Sequence, residues 1–185
     1  MHILLGSMLV GALMLATASH AQGSREVARK ALRDFAKTSF QSSSDHCETF
    51  SAVVERAASS ASSVGDMLED LRLVLIGEDW LRRSGKRGNL YFGVRTGSSG
   101  FKSELRDSSP QVEHAMAAIY LAKALPPGGV GAKGSFIELL TAVGRGEAPN
   151  AADMLLYAYG EDLGGRLAAN NIKQFPTALR RTLCD

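Results

Sequence analysis

The side chains in this sequence that could do chemistry fall in two places. Asp107, Gln111 and His114 recur at i, i+4 and i+7, which puts them on one face if a helix begins early enough. At a cleft such a cluster offers an imidazole as base or metal ligand, with a carboxylate to orient it. The structural alternative makes Asp107 a cap-region carboxylate, Gln111 a capping-box partner of Ser108, and His114 a core histidine satisfied by a hydrogen bond. That alternative carries more weight, because His46 is far away in sequence and no second ligand stands at metal spacing.

The second place is Glu78 and Asp79 beside Trp80. A carboxyl kept protonated against an indole, with a second carboxylate near, is the chemistry of glycoside hydrolysis. Adjacent carboxylates more often end a helix facing water, and neighbours in sequence do not show the separation that reaction needs. Just downstream, Arg82, Arg83, Lys86 and Arg87 mix with Tyr91 and Phe92, as a site for phosphate or an anionic polymer would. A net charge of only +2 favours a solvated basic loop and gives no specific nucleic-acid signal. The glycines of YGEDLGGRL do not follow a strand, no Gly-x-Ser-x-Gly occurs, and the two cysteines lack zinc spacing. No metal and no cofactor are therefore expected.

The frame that positions these groups begins with a leader. Residues 1–21 hold no Lys, Arg, Asp or Glu, and an apolar run over 3–16 gives way to small residues, which is a signal-peptide pattern. Cleavage is expected after Ala21, leaving residues 22–185 as one helical domain with no transmembrane segment and no lipid-bearing cysteine. The expected location is periplasmic or secreted. Cys47 and Cys184, an even pair in an exported chain, predict a disulfide that closes most of the domain.

Periodicity predicts an all-α bundle of six or seven helices. Residues 24–40 put Val27, Ala31, Phe35 and Thr38 or Ser39 on an apolar face, with Ser24 as N-cap and Arg25, Arg29, Arg33 and Lys37 opposite. Asp45 with Glu48 opens a second helix whose stripe is Cys47, Phe50, Val53, Val54 and Ala57. A third runs from Val64 to about Gly77 with Met67, Leu68, Leu71, Val74 and Leu75 inward. A glycine-rich loop over 82–107 follows, with room for a short strand or hairpin in Asn89 to Val94. The helix at about 109–125 starts at Ser108 or Ser109 with Pro110 in its first turn, and Pro126-Pro127-Gly128-Gly129 stops it. It is apolar on two sides, through Val112, Met116 and Ile119 on one and Ala117, Ala118, Leu121 and Leu125 on the other, so it is expected at the centre. Ser135 to Val143 reads as a fifth helix, Asn150 caps a sixth, and Pro176 opens a last one. Gly160 and Gly164, four apart, would let that sixth helix approach the central one closely.

The combination Gly100-Phe101-Lys102, Leu105, Asp107-Ser108-Ser109, Gln111-Val112 and His114, followed later by Ala152-Asp153 and Leu163-Gly164, resembles an uncharacterised family of exported, mostly helical bacterial proteins. The resemblance covers the C-terminal half. Glu113 stands where that pattern usually has a basic residue and Ala115 where it has an aromatic. It implies export and helices, and no reaction. The leading expectation is thus a binding domain using the glycine-rich loop and the polar start of the central helix, with Gln111, Arg82, Arg83, Lys86, Arg87 and Tyr91 as contacts and an anionic polymer or envelope component as partner. A small hydrolase of cell-wall or other polymeric carbohydrate, using Glu78, Asp79, His114 and Asp107, is the alternative. A structural envelope protein without a ligand site is the third.

Overall fold

The computed structural model describes the backbone of residues 4–77, 94–108, 110–123, 125–131, 133–134 and 148–185, with side chains from position 23 onward, Ala169 excepted. Among the described residues six α-helices carry the fold: α1 (Leu4–Ser42), α2 (His46–Ser60), α3 (Val64–Leu75), α4 (Gln111–Leu121), α5 (Ala151–Arg166) and α6 (Phe175–Leu183). Short 3-10 turns add Ser103–Leu105 and Ala169–Asn171, and residues 129–131 and 133–134 are also helical. The architecture is an all-α bundle; among the described residues the only β-type pairing is one antiparallel bridge, Phe101 to Cys184. No helix with described side chains is long and apolar enough to cross a membrane. The expected helix from Ser135 to Val143 and the expected extended run before Val94 lie outside the described residues.

α2 and α3 form as their spacing predicts. Asp45 accepts a hydrogen bond from the Glu48 amide at 2.9 Å, and Ser63 caps α3 through the Asp66 amide. Cys47, Phe50, Val53, Val54 and Ala57 of α2 meet Met67, Leu68, Leu71, Val74 and Leu75 of α3 in one core. Each valine, leucine, methionine or phenylalanine among them contributes about 1.5 to 3 kcal/mol through burial.

α1 corrects the expectation twice. It is continuous from Leu4, so no helix starts at Ser24, and the face it buries is Leu32, Ala36 and Phe40. Val27 is 70% exposed, Ala31 is exposed, and Phe35 is half-buried under the guanidinium of Arg56. The reason is charge: Asp66 and Asp70 stand one turn apart on α3 and meet Arg25 and Arg29, one turn apart on α1. Arg25 pairs with Asp66 at 2.6 Å, and Arg29 with Asp70 at 2.8 Å. Four-residue spacing on both helices makes the pairs simultaneous, so part of the basic stripe turns inward.

The chain between α3 and α4 is clamped at its described end. Ser99 accepts both the His46 and Cys47 amides through its carbonyl, while Gly100 adopts φ +74° against Asp45, where a Cβ would meet a carboxylate oxygen at 1.8 Å. Cys47 and Cys184 form the predicted disulfide, 137 residues apart. In the chain-entropy model a loop of that length stabilises the fold by about 5 kcal/mol. The Lys102 amide donates to Leu183 and the Asp185 amide to Gly100, so loop, α2 and the chain's end are tied at one point.

α4 and α5 lie side by side and run parallel, with His114 level with Asp153, Ala118 with Gly160, and Ala122 with Gly164. A Cβ on Gly160 would approach that of Ala118 to 2.5 Å, and one on Gly164 would lie 2.5 Å from the Ile119 carbonyl oxygen. The missing side chains set how near the two backbones come. α4 also touches α2 and α3, so it is central as expected, but it is shorter and less enclosed. Val112, Ala115, Met116, Ala118 and Ile119 are buried, whereas His114, Ala117 and Leu121 are half-exposed because α5 covers the neighbouring edge.

Two outcomes follow. Gly164→Ala should destabilise the protein by about 1 to 3 kcal/mol through overpacking against backbone, while Gly165→Ala, whose Cβ meets open space, should gain up to about 1 kcal/mol. Thermal unfolding of the two variants checks this. Hydrogen bonds from Ser62 and Ser63, then the charge of Arg25, hold the Asp66 carboxyl below its usual range, and Arg72 does the same for Glu69. A carboxyl depressed in the folded state stabilises above its unfolded pKa of about 4 and loses that contribution as pH falls through the folded value. Urea unfolding should therefore show stability falling on acidification below about pH 4, less steeply in Ser62→Ala.

Candidate functional site

The site is where the first turns of α4 and α5 meet. Pro110 occupies the N-cap position of α4 without a side-chain cap bond, so the helix opens after the proline rather than before it. Gln111 is therefore no capping-box partner of Ser108. It is fully buried and its Nε2 donates to Asp107 Oδ1 at 2.7 Å. The other Asp107 oxygen accepts from Asn150 Nδ2, and Asn150 Oδ1 in turn accepts the Ala152 and Asp153 amides at the start of α5. Ser98 Oγ donates to the Asp107 carbonyl at 2.6 Å. One residue, Asp107, thus ties the preceding loop through its carbonyl and α4 and α5 through its carboxylate.

A turn further along, His114 Nδ1 lies 2.9 Å from Asp153 Oδ1. The Asp153 side chain is 4% exposed and that of His114 28%, so a buried carboxylate holds a ring that reaches the surface. Because the carboxylate accepts, Nδ1 carries the hydrogen, and Nε2 is the basic nitrogen of the neutral ring. Tyr157, one turn beyond Asp153, stacks on the imidazole with centroids 6.1 Å apart and planes at 23°. Gly134 packs against the Tyr157 ring so closely that a Cβ would lie 2.3 Å from it.

Both helix N-termini point to this end of the bundle. Their positive ends lie together, and the acidic groups Asp107 and Asp153 are placed where that field favours negative charge. Chemically the cluster offers an oriented base, a phenol ring and several oxygen acceptors. Among the described residues no three His, Cys, Asp or Glu side chains stand close enough to hold a metal ion.

Of the residues that the sequence singles out, Asp107 and Gln111 bond each other, and His114 lies about one turn further along α4. The carboxylate that holds His114 is however Asp153, from a different helix. Glu78, Asp79, Arg82, Arg83, Lys86, Arg87 and Tyr91 lie outside the described residues. Asp153 and Tyr157 were not legible as site residues from local pattern alone, yet Asp153, Tyr157, Gly160 and Gly164 recur at i, i+4, i+7 and i+11. Once the glycines mark the face of α5 that meets α4, the same stripe carries Asp153 and Tyr157 to it. No family model, curated protein or solved structure matches the chain.

Among the described residues Gln111 Oε1 has no hydrogen-bond partner, and it is buried. Gln111→Met would lose the charge-assisted bond to Asp107, worth about 1.5 to 3 kcal/mol, but also removes an orphan acceptor that costs about 1 to 3 kcal/mol. The expected net change in unfolding free energy is small. Gln111→Glu, which sets a second carboxylate against Asp107, should instead cost about 3 kcal/mol or more, and chemical denaturation compares the two.

Proposed function

We propose that the protein is an exported helical binding domain, working in the periplasm or outside the cell, whose recognition surface is the N-terminal end of the α4 and α5 pair. The observation that carries this reading is a half-exposed imidazole hydrogen-bonded to a nearly fully buried carboxylate. A buried carboxylate is costly to retain unless it is paired, and here its partner is a ring that reaches the surface. The bonded network of Asp107, Gln111 and Asn150 braces the helix ends that carry the pair, and Tyr157 adds a ring face beside the imidazole. An accepting imidazole nitrogen and an aromatic face suit a ligand rich in hydroxyl hydrogens, as an envelope polysaccharide is. The uncharged leader and the formed Cys47–Cys184 bond support an oxidising compartment outside the cytoplasm.

A hydrolase of the same polymer class is the second reading, and one observation favours it. Asp153 fixes the His114 ring in the tautomer and orientation that a general base uses to activate water.

Co-sedimentation of the oxidised protein with purified bacterial sacculi tests both. Wild-type protein should pellet with sacculi, and His114→Asn and Asp153→Asn should weaken binding about tenfold, about 1.4 kcal/mol, while remaining folded by circular dichroism. Failure of the wild type to pellet overturns the envelope ligand, and undiminished binding by both variants overturns this surface. Progressive solubilisation of sacculi by the wild type, lost in His114→Asn, would favour the hydrolase.

A further inference from the structure

The sequence at Gln22 carries a feature that neither the core nor the site uses. Just after it Arg25 pairs with Asp66 and reaches Asp70, and among the described side chains of α1 the first buried one is Leu32. Gly23 and Ser24 are exposed, and a Cβ built on Gly23 would meet nothing within 4 Å. The leader reading places cleavage between Ala21 and Gln22, so the first residue of the processed chain is a glutamine followed by an unobstructed glycine. Glutamine in that position has its own electrophile.

We propose that Gln22 is a modification site, closed to pyroglutamate in the mature protein; this rests on export and on cleavage after Ala21. The unprotonated α-amine attacks the side-chain carboxamide carbon of the same residue, an N–C bond closes a five-membered lactam, and the amide nitrogen leaves as ammonia. No oxidant, reductant or second substrate is needed. Gly23 presents no side chain to hinder the closing ring. In the processed chain, whose helix would open near position 22, the product also removes an ammonium about one turn from Arg25 and two turns from Arg29, where like charge is unfavourable. The α-amine titrates at about 7.7 to 8.0, so closure is faster at mildly alkaline pH than at neutral or acid pH.

The test is export of the full chain with its own leader, followed by intact mass and N-terminal sequencing of the purified, non-reduced protein. The expected mass is that of residues 22–185 less two hydrogens for the disulfide and less one ammonia. Sequencing should be blocked until pyroglutamyl aminopeptidase treatment, and then read Gly-Ser-Arg. Gln22→Ala should keep the same start, retain an open amine and unfold at an unchanged temperature. A chain that begins at position 22 and keeps its ammonia after prolonged warm incubation at mildly alkaline pH overturns the cyclisation and leaves the leader reading standing. A chain that begins elsewhere overturns both.

Discussion

Gly160 and Gly164 remove two side chains from the face of α5, and the backbone of α4 moves into the space until Ala118, Ile119 and Ala122 fill it. Helical glycine costs about 1 kcal/mol relative to alanine, so the pair is retained against local propensity and offset by the contact it allows. Much of the remaining geometry depends on that approach. Because α4 and α5 run parallel, closing them at Gly164 also aligns their first turns, and Asp153 arrives within hydrogen-bonding distance of His114. Two aligned N-termini concentrate positive potential at one end of the bundle. The carboxylates of Asp107 and Asp153 meet it there, and the charged side chain that burial would otherwise disfavour is stabilised.

A second set of ties reaches the site from the opposite direction. The disulfide joins the start of α2 to the end of α6, and the bridge from Cys184 to Phe101 holds the chain that leads into α4. From there Ser98 bonds the Asp107 carbonyl, and the Asp107 side chain bonds Gln111 and Asn150. The position of Asn150, and with it the cap of α5, is therefore linked through short polar contacts to a covalent bond near the chain's end. Reduction of that bond would loosen the loop that carries Asp107 before it reached the glycine contact, which is held by packing alone.

The parts of this arrangement that were legible in the sequence are those written locally. Asp45 and Asn150 cap helices through their own neighbours, the α2 and α3 stripes repeat at helical spacing, and the glycine pair signals a close approach whatever the partner. The inward face of α1 was misread, because Val27, Ala31 and Phe35 repeat at helical spacing just as Leu32, Ala36 and Phe40 do, and the choice between the two stripes is decided by Asp66 and Asp70 on another helix. The start of α4 was misplaced by the serines before Pro110, which resemble a cap but give way to a helix that opens at Gln111. Asp153 was hidden for a similar reason: its partner lies 39 residues away. A charge that matters only through a long-range contact leaves no periodic trace of its own, and only the glycine face of α5 points to it.

The site depends on the α4 to α5 contact bringing His114 and Asp153 into a stabilising interaction, and a double-mutant cycle measures that interaction directly. Unfolding free energies of the wild type, His114→Ala, Asp153→Ala and the double variant give the coupling between the two side chains. The geometry predicts a favourable coupling of about 1 kcal/mol or more, with the double variant less destabilised than the sum of the singles. Additivity within about 0.3 to 0.5 kcal/mol would mean that the two groups do not hold each other, and the site would lose the feature that defines it.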